Sequence, residues 1–321
     1  MNTFRCGLTS LGECAAASLL ALAAVLARPG TAVSDPLPVP YSVAAIVSAT
    51  LTAIPPYTPP GANEWSCIPH DPHPRPIVLV HGLFGNAANS WPMFAPLLAN
   101  EGYCVFTLTY GVYPGDTGKL AGVGGRAPID RSIDELREFI ENVRQTTGSV
   151  SVDILSWSEG TVVTAGYIQF RGGADAVHRV VAMAPLWNGT AVADPLRAQL
   201  TAMGALGATY QVLDPACAAC TELLSGSEFV RQLRDSGVYT PNVGYTNIVT
   251  TTDMQVQPYT SGIRGAPNAT NIVLQDICPV DLSGHLSLGV DPTVAGLALS
   301  ALDPVGHYRI PCTPALAPPG I

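Results

Sequence analysis

Residues 153–160 read Asp-Ile-Leu-Ser-Trp-Ser-Glu-Gly, a run whose residue types suit an activated hydroxyl. Val150, Val152, Ile154 and Leu155 favour a strand, and the following Thr161-Val-Val-Thr-Ala-Gly-Tyr-Ile reads as a helix. Ser158 stands at the turn between them, flanked two residues away by Ser156 and Gly160. A strand that turns sharply into a helix lifts an apical Ser hydroxyl clear of the sheet edge, and small flanks let strand and helix approach. The spacing is a relaxed G-x-S-x-G, with Ser156 in place of the first glycine. A Ser-rich strand end would give the same short match, so the reading depends on partners elsewhere. The chemistry it implies is nucleophilic attack by Ser158 on an acyl carbon.

A Ser hydroxyl becomes a useful nucleophile when a base takes its proton and an acid orients that base. In this arrangement the chain order is Ser, then Asp or Glu, then His. Of the six histidines (His70, His73, His81, His178, His285 and His307), only His285 and His307 follow the last strands. His285, in the loop Asp281-Leu-Ser-Gly-His-Leu, is favoured over His307, which falls in the terminal tail. Asp253, just past a strand expected to end at Thr251, is favoured over Asp276 and Asp281; the competing view is a surface Asp in a polar loop. The tetrahedral intermediate also needs N–H donors. One is expected in Val80-His-Gly-Leu-Phe-Gly85, after the first clear strand, and the other on Glu159, the residue after the nucleophile. His81 is expected to hold that loop by hydrogen bonding. A phosphate cradle is excluded there, because neither G-x-x-x-x-G-K-[ST] nor G-x-G-x-x-G is present.

The elements that must position these residues alternate. Ile77-Val-Leu-Val80 is a continuous apolar run, as expected of a strand buried on both faces of a parallel sheet. A helix is expected over 91–100 and a strand over 103–109. Ile129, Ile133, Leu136, Ile140 and Val143 recur at helical spacing, predicting an amphipathic helix over 129–145 that ends near Gly148. Strands are expected over 179–183, 247–251 and 271–274. This rhythm predicts an α/β fold, a doubly wound, mostly parallel sheet with a cap-like insertion, about 186–244, before the acid-bearing strand. The insertion carries one expected helix, 228–235, and either covers the site or is a plain surface excursion. Its Leu196, Leu200, Met203, Leu206 and Leu213 would suit a lipid-facing surface or a core. Residues 35–76 are Pro-rich and read as an arm lying on the domain, with room for a short helix over 41–54, and 77–321 as the catalytic domain.

The 321 residues are 47% hydrophobic and 12% charged, enough for a sizeable core, and the net charge of −9 argues against nucleic acid or anionic membrane surfaces as partners. Arg5 and the apolar stretch Ala15 to Ala27, followed by small residues, read as a signal peptide over 1–34 with cleavage after Ala32 or Ser34. Its removal takes away Arg5, Arg28 and Glu13, moving the charge to −10, and the mature protein is expected to be secreted and extracellular. Six cysteines then remain: Cys67, Cys104, Cys217, Cys220, Cys278 and Cys312. An even number in an exported chain points to disulfides, with fifteen pairings open. Cys217-x-x-Cys220 lacks a second pair or neighbouring His to complete a metal site, so a local bridge is expected, with no metal and no cofactor. Asn188-Gly-Thr and Asn268-Ala-Thr are glycosylation acceptors if the source organism glycosylates.

Several segments together resemble a known family. His-Gly-Leu-Phe-Gly-Asn at 81–86, Gly-Tyr-Cys-Val-Phe at 102–106, the turn at Ser158 and Cys-Pro-Val-Asp-Leu-Ser-Gly-His at 278–285 resemble the secreted class 2 triacylglycerol lipases of actinobacterial type, within the α/β-hydrolase superfamily. Ser-Trp-Ser-Glu-Gly and Thr-Asp-Met-Gln-Val-Gln-Pro at 252–258 are similar to the fungal lipase B group. The likeness covers about residues 60–315. It implies Ser158, Asp253 and His285 as a catalytic triad, the N–H groups of Leu83 and Glu159 as the oxyanion hole, and Cys67–Cys104 and Cys278–Cys312 as disulfides, leaving Cys217–Cys220. It also implies a small-molecule or lipid ester substrate, transient contact with a lipid interface and a monomer. The alternatives are a non-catalytic binding protein on this scaffold, or an acyltransferase with the same triad. The family usually carries Gln or Met where this chain has Glu159, and a carboxylate beside a developing oxyanion would oppose catalysis unless it turned away.

Overall fold

A computed structural model describes residues 35–314, so the expected signal peptide lies outside the described residues. The chain divides into two compact units, 1–36 and 37–321; of the first, only Asp35 and Pro36 are described, without regular structure.

The second unit is built on six parallel strands: β1 (Ile77–Val80), β2 (Val105–Thr107), β3 (Val152–Trp157), β4 (Val177–Met183), β5 (Gly244–Val249) and β6 (Ala269–Val273). Their order across the sheet is β2-β1-β3-β4-β5-β6, and every adjacent pair is parallel. β1, β2 and β3 are buried along their whole length, which is why they read as unbroken apolar runs. From β1 the chain crosses outward to β2, then returns past β1 to β3 and onward. This reversal of direction at β1 places a topological switch point, where a crevice opens, at the carboxyl ends of β1 and β3.

The helices are α1 (Val43–Thr52), α2 (Ala87–Ser90), α3 (Phe94–Asn100), α4 (Ile129–Thr147), α5 (Glu159–Phe170), α6 (Asp194–Ala202), α7 (Leu206–Glu222), α8 (Glu228–Asp235), α9 (Leu274–Ile277) and α10 (Pro292–Leu302). In α4 the five residues at helical spacing are all buried, and the helix ends on Gly148 in the left-handed region at φ 70°. Burying each such side chain contributes about 1.5–3 kcal/mol. The Ile129 N–H at the start of α4 donates to Glu222 Oε2 of α7 at 2.7 Å, so the insertion caps a helix of the main layer.

The insertion differs from expectation. Besides α8, the one helix expected there, it contains α6 and α7. α7 contains Pro215 and is interrupted by a kink two residues later, at Cys217 (φ −162°, ψ 79°). Leu196, Leu200, Met203, Leu206 and Leu213 are all exposed or half-buried, so none belongs to the core. The second half of α7 is pinned to the loop before α4. Tyr113 Oη donates to Asp214 O at 2.8 Å and accepts from Ala218 N–H at 3.1 Å, while Arg126, ion-paired with Asp116, donates to Ala216 O at 3.3 Å.

Cys67–Cys104, Cys217–Cys220 and Cys278–Cys312 are disulfides. Asn188 is exposed, whereas the Asn268 amide donates at 2.8 Å to both Thr240 O and Val243 O, and a glycan at Asn268 would leave only one N–H for these two acceptors.

Candidate active site

Ser158 stands between β3 and α5 with φ 55° and ψ −125°, a backbone conformation costly for any residue with a Cβ. Packing over-determines it. A Cβ on Gly160 would collide with the carbonyl oxygens of Val80 and His81, so this flank accepts no side chain. Ser156, in the place of the first glycine, is fully buried and donates to Val181 O at 3.4 Å, showing that a small hydroxyl is tolerated on the strand side.

β5 delivers Asp253 and the segment after β6 delivers His285. Asp253 Oδ2 accepts from His285 Nδ1 at 2.8 Å, and His285 Nε2 lies 2.9 Å from Ser158 Oγ. Because a carboxylate can only accept, Nδ1 carries the imidazole proton and Nε2 is the acceptor facing Ser158. The other oxygen of Asp253 accepts from the N–H groups of Gln255 (2.8 Å) and Val256 (2.7 Å), which fixes the buried carboxylate. The structure thus brings Ser158, Asp253 and His285 into one hydrogen-bonded chain. It does not bring in the rivals: His307 is exposed in the tail, Asp276 is exposed in α9, and Asp281 Oδ1 accepts from Ser283 N–H instead.

The His285 loop is held from several sides. Ser283 O accepts from Thr250 Oγ1 (2.7 Å) and Thr252 Oγ1 (2.8 Å), just beyond β5, and Ser283 Oγ donates to Asp291 Oδ2 at 2.5 Å. Asp291 also caps α10, accepting from Thr293 and Val294 N–H; burial pushes its carboxyl above the usual range. None of these supporting residues was expected from the sequence, although a Ser-x-His in a loop that precedes an Asp-Pro helix start was a readable cue. Cys278, buried seven residues before His285, ties the loop to the tail through Cys312. Closing a loop of 34 residues of separation contributes roughly 3–4 kcal/mol in the chain-entropy description. For proton transfer, about 1 Å of misplacement costs on the order of a hundredfold. We therefore expect Cys278→Ser to lower ester turnover more than Cys217→Ser at a temperature where circular dichroism reports both folded; equal turnover would contradict this.

Of the two expected N–H donors, Leu83 lines the cavity that contains Ser158, and Glu159 directly follows Ser158 in the chain. Glu159 N–H is the first of α5, left without an intrahelical partner by helix geometry. Leu83 follows β1 in a loop whose turns use its neighbours: Phe84 N–H donates to Gly124 O and Gly85 N–H to Gly82 O, each at 3.0 Å. His81 holds that loop. Its Nδ1 donates to Gly82 O at 2.8 Å, its Nε2 accepts from Tyr110 N–H at 3.2 Å, and its ring stacks on Tyr110 at 4.1 Å. Complete burial lowers its pKa to about 4, so the ring stays neutral in this role.

The Glu159 side chain does turn away from the crevice. It is fully buried, lies against the backbone of Gly125 beneath Leu83, and neither carboxyl oxygen has a hydrogen-bond partner. Burial, reinforced by the Glu222 charge, raises its pKa above the ordinary carboxylate value and so favours the uncharged acid. A raised pKa lessens the expected conflict between a carboxylate and an oxyanion.

Ser158 and His285 open into a cavity of about 810 Å³. The insertion contributes Leu186, Thr190, Val192, Leu223 and Leu224 to its lining, so it borders the site. Ile46, Val47, Thr50 and Leu51 of α1 also line the cavity, a contribution that sequence reasoning missed. Among the described residues no group of three or more His, Cys, Asp and Glu could hold a metal ion, and no helix is long and apolar enough to cross a membrane.

The sequence model of the family described as Lipase (class 2) matches residues 74–295. Among solved structures, Aspergillus fumigatus lipase B is similar with a TM-score of 0.58 at 19% identity, over 76% of this chain and 55% of that one. Mature Bacillus licheniformis lipase BlEst2 is similar with a TM-score of 0.51 at 18% identity, over 74% of this chain and 95% of that one. The chain therefore spans about 55% of the length of the fungal lipase. At such identities the likeness shows the shared α/β-hydrolase fold. No curated protein matches the chain. The family match covers more than two thirds of the sequence and includes Ser158, Asp253 and His285, and on it the chain belongs to the class 2 lipase family.

Proposed function

We propose that the protein is a secreted serine hydrolase that cleaves carboxylic esters of lipid-like substrates through an acyl-enzyme. The observation that carries this reading is the hydrogen-bonded chain from Asp253 Oδ2 through His285 to Ser158 Oγ. His285 Nε2 takes the Ser158 proton as Oγ attacks the ester carbonyl carbon. The oxyanion forms against the N–H groups of Leu83 and Glu159. Asp253 holds the imidazole in the required tautomer and stabilises the imidazolium. Collapse of the intermediate breaks the ester bond, and the alcohol leaves with the proton from His285. Water, deprotonated by the same imidazole, then attacks the acyl carbon; the bond from that carbon to Ser158 Oγ breaks, His285 returns the proton to Oγ, and the acid is released.

The apolar cavity suits alkyl chains, and the anchored half of α7 suits a site already open to short and medium esters, with weak interfacial activation. Residues 1–34 act as the signal peptide, and three disulfides fit an oxidising destination. The protein works as a monomer. The buried Glu159, whose raised pKa favours the neutral acid, weakens the motive for a non-catalytic reading. The test is hydrolysis of p-nitrophenyl butyrate by the purified protein and by Ser158→Ala; equal rates would defeat the proposal.

A further inference from the structure

The wall formed by α1 lies N-terminal to the residues that match the family, 74–295. From Pro36 to Asn63 the chain contains no charged residue. Within that stretch α1 is fixed, not loosely draped. Ser42 caps its start, accepting from Ala44 N–H at 3.2 Å, and Val43 and Ile46 pack on the core. Asn89 Nδ2, from α2, donates to Thr50 Oγ1 at 3.3 Å. The Asn89 carbonyl oxygen is engaged by Asn86 N–H at 2.8 Å, so the amide can present only its donor to α1.

A second face of α1 remains incompletely covered. Val47 and Leu51, one helical turn apart, are 52% and 65% exposed, yet both line the cavity that contains Ser158. Phe84, 52% exposed, continues the same apolar rim on the loop that carries Leu83. Such a stripe, uncharged and facing both a nucleophile and water, gains burial only when an apolar occupant enters.

We infer that α1 is the wall on which one alkyl arm of the ester lies, so that Ile46, Val47 and Leu51 set how the enzyme reads chain length. This rests on the ester-hydrolase reading above. Each methylene withdrawn from water is worth about fourfold in kcat/KM while the wall can still cover it.

The experiment measures kcat/KM of the purified full chain along two series, p-nitrophenyl esters from acetate to octanoate and butyrate esters from methyl to octyl. The variants are Val47→Asp combined with Leu51→Asp, at exposed positions where folding is undisturbed, and Ile46→Trp, which moves the wall inward. Val150→Asp, at a position 80% exposed and outside the cavity, is the control. In at least one series the wild-type ratio of longest to shortest ester should fall tenfold or more in both variants and stay unchanged in the control. Ratios within twofold of wild type in both series, in variants that melt like wild type, would overturn the inference while leaving the ester-hydrolase reading intact. A wild-type protein that hydrolyses no ester in either series would overturn both.

Discussion

Ser158→Ala should lower the turnover of a p-nitrophenyl ester on the order of 10⁶-fold, and Asp253→Asn on the order of 10⁴-fold, with KM little changed in either. The difference in size follows from the geometry. In the proposed mechanism Ser158 supplies the atom that bonds to the acyl carbon, and without it only the proposed oxyanion donors and the cavity would remain. Asp253 never touches substrate; it accepts the Nδ1 proton of His285 at 2.8 Å. An Asn side chain at 253 would keep one acceptor oxygen on the Gln255 and Val256 N–H groups, which it needs, and turn its NH₂ toward Nδ1. The imidazole would then carry its proton on Nε2, where it could no longer accept from Ser158. Combining the two substitutions should cost no more than Ser158→Ala alone, because residues of one triad act as a unit. Steady-state kinetics on the three variants checks this; an Asp253→Asn enzyme within tenfold of wild type would contradict it.

The second large effect concerns Glu159 and appears in stability. Its carboxyl titrates near 4.5 when free, and burial raises it well above that in the folded protein. Between those two values the folded state holds one more proton than the unfolded state. Stability contributed by the neutral carboxyl is therefore present at low pH and lost as pH rises, at about 1.4 kcal/mol per pH unit until the folded-state value is passed. Glu159→Gln removes the titration without changing the shape of the side chain. Its stability relative to wild type should thus climb with pH from about pH 5 upward, and ester hydrolysis should be retained, since the donor to the oxyanion is the backbone N–H. Urea unfolding of both proteins at pH 5, 6, 7 and 8 reads the slope. Parallel stability curves would mean that the carboxyl is not held neutral.

How much of this was legible in the sequence varies with how local the cause is. The Ser158 turn was, because Gly160 is forced by direct contact with the carbonyls of Val80 and His81, and such a constraint leaves its mark at a fixed offset. The sheet was legible from its buried apolar runs, and α4 from its spacing, with strand ends displaced by a few residues: β5 stops at Val249, not Thr251. α6 and α7 were not, because Pro215 and the glycines at 204 and 207 argue locally against helix, while the Tyr113 and Arg126 contacts that hold α7 come from about a hundred residues away. The role of α1 was hidden for a similar reason. Its composition gave a short helix, but only the fold brings it against the crevice. The direction of the Glu159 side chain was equally out of reach, since it depends on Gly125 leaving space beneath the loop of Leu83.

The central claim is that Ser158 is a nucleophile activated through His285. A fluorophosphonate probe reacts only with an activated hydroxyl, and tryptic mapping by mass spectrometry identifies the residue it modifies. The account predicts one label per chain, on Ser158, formed rapidly by wild type and on the order of a thousandfold or more slower in His285→Ala. Absence of label on the folded wild-type protein, or labelling of His285→Ala at the wild-type rate, would contradict it.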